Sequence, residues 1–345
     1  MEPRSVTMVA EMIRILGAPF DKCGRMAGSR LGPGALRIAD LEGALQSIRV
    51  AVRDDGDIPL PQSTEKGSGI PHFKEGVEVA RRLRKRVADT IVSGDVPLVL
   101  GGDHSISIGS VSGAIQCFGR KLAVLWIDAH ADYNTPATSP SLNLHGMSLA
   151  ALVGFEVQEG RGAAELALDA LVGFQVQEGR GADDWAELLE SVVPAERLAP
   201  SHTAWYGLRD VDMGERAHIQ ASKGCLPLTM HDVDRYGVSE TVAKFNRWMR
   251  ESGAEALWVS FDVDVMDPVL APGTGTAVRG GLSYREAHLL AELLHESLAA
   301  PGCPYRLVGL DVVETNPTRD RSNETATTAV EWVASLFGKT ILGER

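Results

Sequence analysis

Three short apolar runs, at 96–100, 122–127 and 256–261, constrain this chain more than any other feature, because each leads within a few residues into histidine or aspartate. Unbroken apolar runs of this length, without polar alternation, read as strands buried on both faces. Strand-like runs at 13–16, 48–52, 203–206, 227–230 and 306–310 join them. Helix-like stretches fall between: one with Pro33 near its start, then 72–92 ending at Gly94, 107–118, 214–221, 238–251, 284–297 and 324–337. Proline in a first turn and glycine after a last one are the expected helix boundaries. Repeated β-α units imply an α/β fold: a single domain with a central parallel sheet, helices on both faces and three α/β/α layers. In such sheets, sites form beyond the carboxyl ends of the strands, where these histidines and aspartates lie.

With 345 residues the chain can bury a full core. Residues 1–11 read as a disordered leader, and 12–345 as the α/β domain. One segment breaks the rhythm: ALVGFEVQEGRGA at 151–163 recurs as ALVGFQVQEGRGA at 170–182, differing only at Glu156 against Gln175. Two near-identical copies indicate a tandem duplication rather than a solenoid, which needs three. The insertion around 151–182 is expected to form an extended surface excursion.

Formal net charge is −12, and no Lys/Arg cluster suited to nucleic acid occurs. The densest basic run, 81–86, reads as a solvated helix face. Cys23, Cys117, Cys225 and Cys303 are scattered without a CxxC pair, which fits free thiols in a reducing compartment. No apolar stretch reaches the ~18 residues of a membrane span, and the N-terminus lacks a signal-peptide core. A soluble, cytoplasmic protein without nucleic-acid or membrane partners is expected.

The candidate ligands are His104, Asp128, His130, Asp132, Asp262 and Asp264. In extended chain, the spacing of Asp128, His130 and Asp132 would put all three side chains on one side. Asp103, beside His104, suits a capping role. Four facing carboxylates could not all stay ionised without cations, and two divalent ions would balance them. Oxygen-rich ligands with two imidazoles and no thiolate favour Mn²⁺ over structural zinc. Two such ions could share a bridging water, lower its pKa and present hydroxide to an electrophile.

GGDHS at 101–105, DAHAD at 128–132 and SFDVD at 260–264, in this order, resemble the ureohydrolase family of arginases, agmatinases and relatives. The similarity runs from 17–20 to 338–339. It implies two Mn²⁺ per chain, one held by His104, Asp128, Asp132 and Asp262, the other by Asp128, His130, Asp262 and Asp264. It also implies hydrolysis of a guanidino group to urea and an amine, and a homo-oligomer, trimer or hexamer. Glu314, in Asp311-Val312-Val313-Glu314, matches the family's guanidinium-binding glutamate. Asp132 would pass a proton to the leaving amine, and His145, in Asn143-Leu144-His145-Gly146, matches the proton shuttle of arginases.

The specificity loops resemble arginase. Asn134, Ser141 and Asn143 match the loop that binds the α-carboxylate of L-arginine, Asp212 and Glu215 the one that meets the α-ammonium, and Thr276 a residue lining the site. Leu142 stands where arginases carry glycine, and Val265-Met266 resembles the agmatinase side. L-arginine is the expected substrate. An agmatinase or guanidinobutyrase, a non-catalytic metal-stabilised scaffold and a mononuclear zinc deacetylase are the alternatives. Proton carriers and a guanidinium anchor weigh against the scaffold, and a six-ligand set against the deacetylase.

Overall fold

In a sheet covered on both faces, successive side chains of each strand enter two different cores. The computed structural model describes residues 12–61, 69–155 and 179–342. Its strands are β1 (Ile13–Ala18), β2 (Val52–Asp57), β3 (Val96–Gly101), β4 (Leu122–Ile127), β5 (Thr203–Leu208), β6 (Leu226–Thr229), β7 (Ala256–Asp262) and β8 (Arg306–Val313). They form one eight-stranded sheet in the order β2-β1-β3-β8-β7-β4-β5-β6, parallel throughout. The helices are α1 (Gly32–Ile38), α2 (Leu41–Ser47), α3 (Phe73–Val92), α4 (Ser107–Phe118), α5 (Ser148–Val153), α6 (Ala182–Ser191), α7 (Met213–Ala221), α8 (Met230–Ser252), α9 (Tyr284–Ala299) and α10 (Glu324–Leu336).

On β4, Ala123, Leu125 and Ile127 pack into a core shared with α1, α2, α8, α9 and α10. Leu122, Val124 and Trp126 enter the opposite core with α3, α4, α5 and α6. Burying one large apolar side chain contributes about 1.5–3 kcal/mol, against roughly 1 kcal/mol for a helix cap. The apolar faces of the strands, not the caps, therefore set the three layers that the alternation implied.

Several element boundaries differ from the sequence expectation, with β1 running on to Ala18 and β8 to Val313. The second strand lies at Val52–Asp57, not 48–52, and Ile48 instead ends α2. This edge strand is polar: Arg37 Nε donates to Asp54 at 2.6 Å, and Arg14 Nε to Asp55 at 2.7 Å. An edge strand paired through its backbone and held by ion pairs carries little apolar signal. Met230 begins α8 rather than ending β6, because Thr229 and Asp232 form a capping box there. Helix α8 runs through 238–251 and breaks at Gly237, whose φ is 74°. The short helices α2, α5 and α6 have no counterpart in the sequence reading.

On α3, Arg82 pairs with Glu78 and Lys85 with Asp89, as a solvated face would. All four cysteines are free. Among the described residues no helix is long and apolar enough to cross a membrane. The leader at 1–11 and the middle of the duplicated segment lie outside the described residues. The strand order sets β3, β8, β7 and β4 side by side, so the loops leaving their carboxyl ends converge.

Candidate metal centre

The turn after β3 requires a missing side chain: a Cβ on Gly102 would lie 1.7 Å from the Phe20 carbonyl oxygen. Asp103 caps the next turn, His104–Ile106, accepting from the Ser105 backbone N–H at 3.0 Å and from that of Cys23 at 2.9 Å. His104 then faces the ends of β4 and β7. Its Nδ1 lies 3.0 Å from Asp128 Oδ2, 3.0 Å from Asp132 Oδ2 and 3.3 Å from Asp262 Oδ2. On the far side of Asp128, Oδ1 lies 3.3 Å from His130 Nδ1, itself 3.1 Å from Asp264 Oδ2.

Among the described residues two groups converge closely enough to hold a cation, His104–Asp128–Asp132 and Asp128–His130–Asp264, with Asp128 common to both. The chain after Ile127 bends instead of staying extended, and Asp132 has a φ of 50°. Asp128, His130 and Asp132 therefore do not share one side as the spacing implied. The bend sends His130 to one group and Asp132 to the other.

Burial and neighbouring carboxylates raise Asp132, Asp262 and Asp264 above the ordinary carboxyl range. Burial also works against the Asp128 carboxylate, but the His104 and His130 rings beside it outweigh that and lower its pKa. His104 Nδ1 is buried and makes no hydrogen bond, although three carboxylate oxygens surround it. A ring lone pair and three carboxylates pointing at one place need a positive charge between them. The nitrogen and oxygen donors fit a divalent cation of the manganese type.

Across the cavity, His145 Nδ1 lies 3.0 Å from Glu314 Oε1, which also accepts from the His104 backbone N–H at 2.9 Å. Burial disfavours the His145 cation, but the Glu314 hydrogen bond and charge, with Asp132 and Asp103, raise it to about 9. Glu314 is buried at the end of β8 with a φ of 61°, a conformation costly for a residue with a side chain. Asn134, Ser141, Asn143, Asp212, Glu215 and Thr276 line the same cavity of about 460 Å³, with His145, His104, His130, Asp132 and Asp262. Asp128 and Asp264 adjoin it through His130.

Several of these residues also have local partners. Asp212 and Glu215 form the capping box of α7, and Asn134 Nδ2 donates to Asp212 Oδ2 at 2.7 Å. Thr276 Oγ1 donates to Asp264 Oδ2 at 2.8 Å. Burial and the charges of Asp212 and Asp132 raise the Glu215 carboxyl to about 8.

The sequence matches the Arginase family across residues 11–338. The chain belongs to the arginase family of enzymes. It is 38% identical over 335 residues to an arginase of Staphylococcus aureus strain COL, an alignment covering 96% of this chain and 98% of that one. The structure of an arginase from Bacillus caldovelox superposes with a TM-score of 0.79 at 34% identity, covering 96% of this chain and 99% of that one. An arginase structure from Bacillus subtilis gives 0.78 at 34% identity, covering 96% and 100%.

In this arginase-family site, some residues near the candidate ligands carried no assignment from sequence. Asp210 and Arg25 line the cavity. Trp126 stacks on the His104 ring at 4.0 Å and donates from Nε1 to Asp128 Oδ2 at 3.1 Å. Arg209 reaches the backbone carbonyls of Gly207, Val265 and Val278, tying the β5 loop to the one that carries Asp264. The available signals were a tryptophan two residues before a ligand and an arginine between buried segments. Neither is specific without the fold.

Proposed function

We propose that this arginase-family enzyme hydrolyses the guanidino group of L-arginine to L-ornithine and urea, using two Mn²⁺ ions. The carrying observation is that Asp128 joins two cation-sized clusters whose His104, His130 and Asp132 line one cavity with His145, itself hydrogen-bonded to Glu314. His104, Asp128, Asp132 and Asp262 would hold one ion, and Asp128, His130, Asp262 and Asp264 the other. When bound, such a pair supplies the positive charge that makes water a competent nucleophile near neutral pH.

The remaining work falls to the chain's own side chains. A guanidinium is planar and stays protonated at biological pH. The Glu314 carboxylate is the anchor, since carboxylate–guanidinium pairing is charge-assisted and directional. Its Oε1 is engaged by His104 N–H and His145, leaving Oε2 for the substrate. Asp132 would carry a proton to the departing amine, and His145 would exchange protons between the cavity and solvent. Asn134, Ser141 and Asn143 would donate to the α-carboxylate, Asp212 and Glu215 would meet the α-ammonium, and Thr276 would line the pocket while holding Asp264. Asn134 uses one amide hydrogen on Asp212, so the second remains available. A homo-oligomer, trimer or hexamer, supported by the family resemblance, and a cytoplasmic location, supported by four scattered free cysteines, complete the proposal.

The test is urea release from L-arginine, agmatine and guanidinobutyrate with added Mn²⁺. L-arginine should have the highest kcat/KM. A preference for either of the others would replace the substrate assignment and point to Leu142 and Val265. No urea from any of them would overturn the activity.

A further inference from the structure

Behind His104 runs a chain of polar groups that touches no part of the cavity. His104 Nε2 lies 2.8 Å from Ser260 Oγ, and Ser260 donates to Asp311 Oδ1 at 2.5 Å. Asp311 is fully buried and accepts two further hydrogen bonds at Oδ2, from Ser110 Oγ at 2.5 Å and Trp258 Nε1 at 3.1 Å. All three donors are neutral. An aspartate flanked in its strand by the fully buried Leu310 and Val312 is costly to desolvate unless its oxygens are hydrogen-bonded.

The direction of these hydrogen bonds follows from the groups themselves. An indole N–H only donates and an ionised carboxylate only accepts. The single hydrogen of Ser260 therefore goes to Asp311, and its oxygen accepts from His104. Nε2 then carries the ring hydrogen, and Nδ1 presents its lone pair to Asp128, Asp132 and Asp262. Trp126 lies parallel to the ring, with an interplanar angle of 6°. Stacking fixes the plane of the ring but tolerates a half-turn that would exchange Nδ1 with a carbon. Before a cation binds at Nδ1, the hydrogen bond at Nε2 favours the orientation that turns Nδ1 toward the carboxylates.

We propose that Asp311 is a positioning residue which, through Ser260, holds His104 in the Nε2–H tautomer and orientation that turn Nδ1 toward the cation of its cluster. The proposal rests on the two-cation reading. Outer partners of metal-ligating histidines affect affinity about 10–100-fold when lost. Here the effect should be confined to the ion that His104 serves, because His130 is held by other groups.

The experiment is calorimetric titration of the metal-stripped full chain with Mn²⁺, alongside a melting curve for each variant. Ser260→Ala and Asp311→Asn should each weaken one class of Mn²⁺ sites by about 10–100-fold and leave the other class unchanged. Ser260→Thr, which keeps the hydroxyl, should restore most of the loss. Ser110→Ala removes a donor to the same carboxylate away from the His104 path and should leave both classes near wild type. A uniform weakening of both classes in all variants, tracking the melting temperature, would reduce the network to a structural role and overturn the proposal. Variants indistinguishable from wild type would overturn it as well. A wild-type chain that takes up no Mn²⁺ would overturn the two-cation reading itself.

Discussion

Asp128 lies between the two imidazoles, Oδ2 toward His104 and Oδ1 toward His130. Replacing it with Asn removes the charge common to both clusters while keeping the volume. Asp128→Asn is expected to lose both Mn²⁺ ions and nearly all urea release, a larger loss than the about 10–100-fold typical of an outer partner. Elemental analysis and a urea assay check this. A variant that keeps two ions and full turnover would remove Asp128 from the shared position. His145 differs, because it contacts Glu314 and none of the candidate ligand side chains at hydrogen-bonding distance. His145→Ala is expected to lower kcat about 100-fold, within the range for a positioned acid or base, with metal content unchanged. Exogenous imidazole should recover part of the rate. Unchanged turnover would leave His145 a loop residue.

At the scale of elements, the specificity loops are built from hydrogen bonds within and between turns. Ser139 Oγ accepts from the Leu142 backbone N–H at 3.0 Å, and Ser141 Oγ from that of Asn143 at 3.2 Å. Both hydroxyl hydrogens are thereby spared as donors. Leu142 has a φ of 58° and is fully buried, so a leucine occupies a left-handed position better suited to glycine. Its burial offsets that strain. Asn134 links this loop to the cap of α7 through Asp212. Asn134→Ala is expected to cost about 1–3 kcal/mol, read as a higher KM for L-arginine, with residual agmatine activity spared. An equal loss on both substrates would mean that the loosened cap, not a lost carboxylate contact, is responsible. The duplicated segment allows a second test. Excising 151–169 places 170–174, again ALVGF, directly after Ala150, so the buried end of α5 keeps its residues. The shortened chain is expected to fold, retain its metals and hydrolyse arginine within about tenfold, ~1.4 kcal/mol of barrier. Loss of folding or of metal would show that the extra residues are needed by the core or by an assembly.

For the molecule as a whole, the crowding of acids at one end of the sheet makes stability depend on cations and pH. In the metal-free chain His145 is raised to about 9, Glu215 to about 8 and Asp103 to about 7. His104 and His130 are raised as well, burial being outweighed by the aspartates around them. A group whose pKa is raised on folding binds its proton more tightly in the folded state. Its contribution is therefore complete below the unfolded value and disappears as pH climbs through the folded one. Asp128 runs the other way, and its contribution is lost only in acid. The chelated protein is thus expected to melt at a lower temperature at pH 9 than at pH 6.5, and Mn²⁺ should shrink or abolish the difference by neutralising the aspartates. Melting curves at the two pH values, with and without Mn²⁺, check this. A metal-free protein more stable at pH 9 would contradict it.

The alternation of apolar runs with amphipathic stretches determined the layers, because a strand such as Leu122–Ile127 can bury both faces only between helices. The same runs, ending in Asp128 and Asp262, located the chemistry at the carboxyl edge before any pairing was known. Strand β2 was misplaced because an edge strand held by Arg14 and Arg37 leaves little hydrophobic pattern to read. What only the tertiary structure decided is which side chains face each other. Strand order set β8 between β3 and β7, bringing Glu314 against His104 and Asp311 against Ser260 across long separations in sequence. A backbone bend after Ile127 divided His130 and Asp132 between two clusters. Periodicity reports which side of its own element a residue occupies. Strand order and the turn angles beyond each strand decide what it meets there, and both follow from the packing of the whole chain.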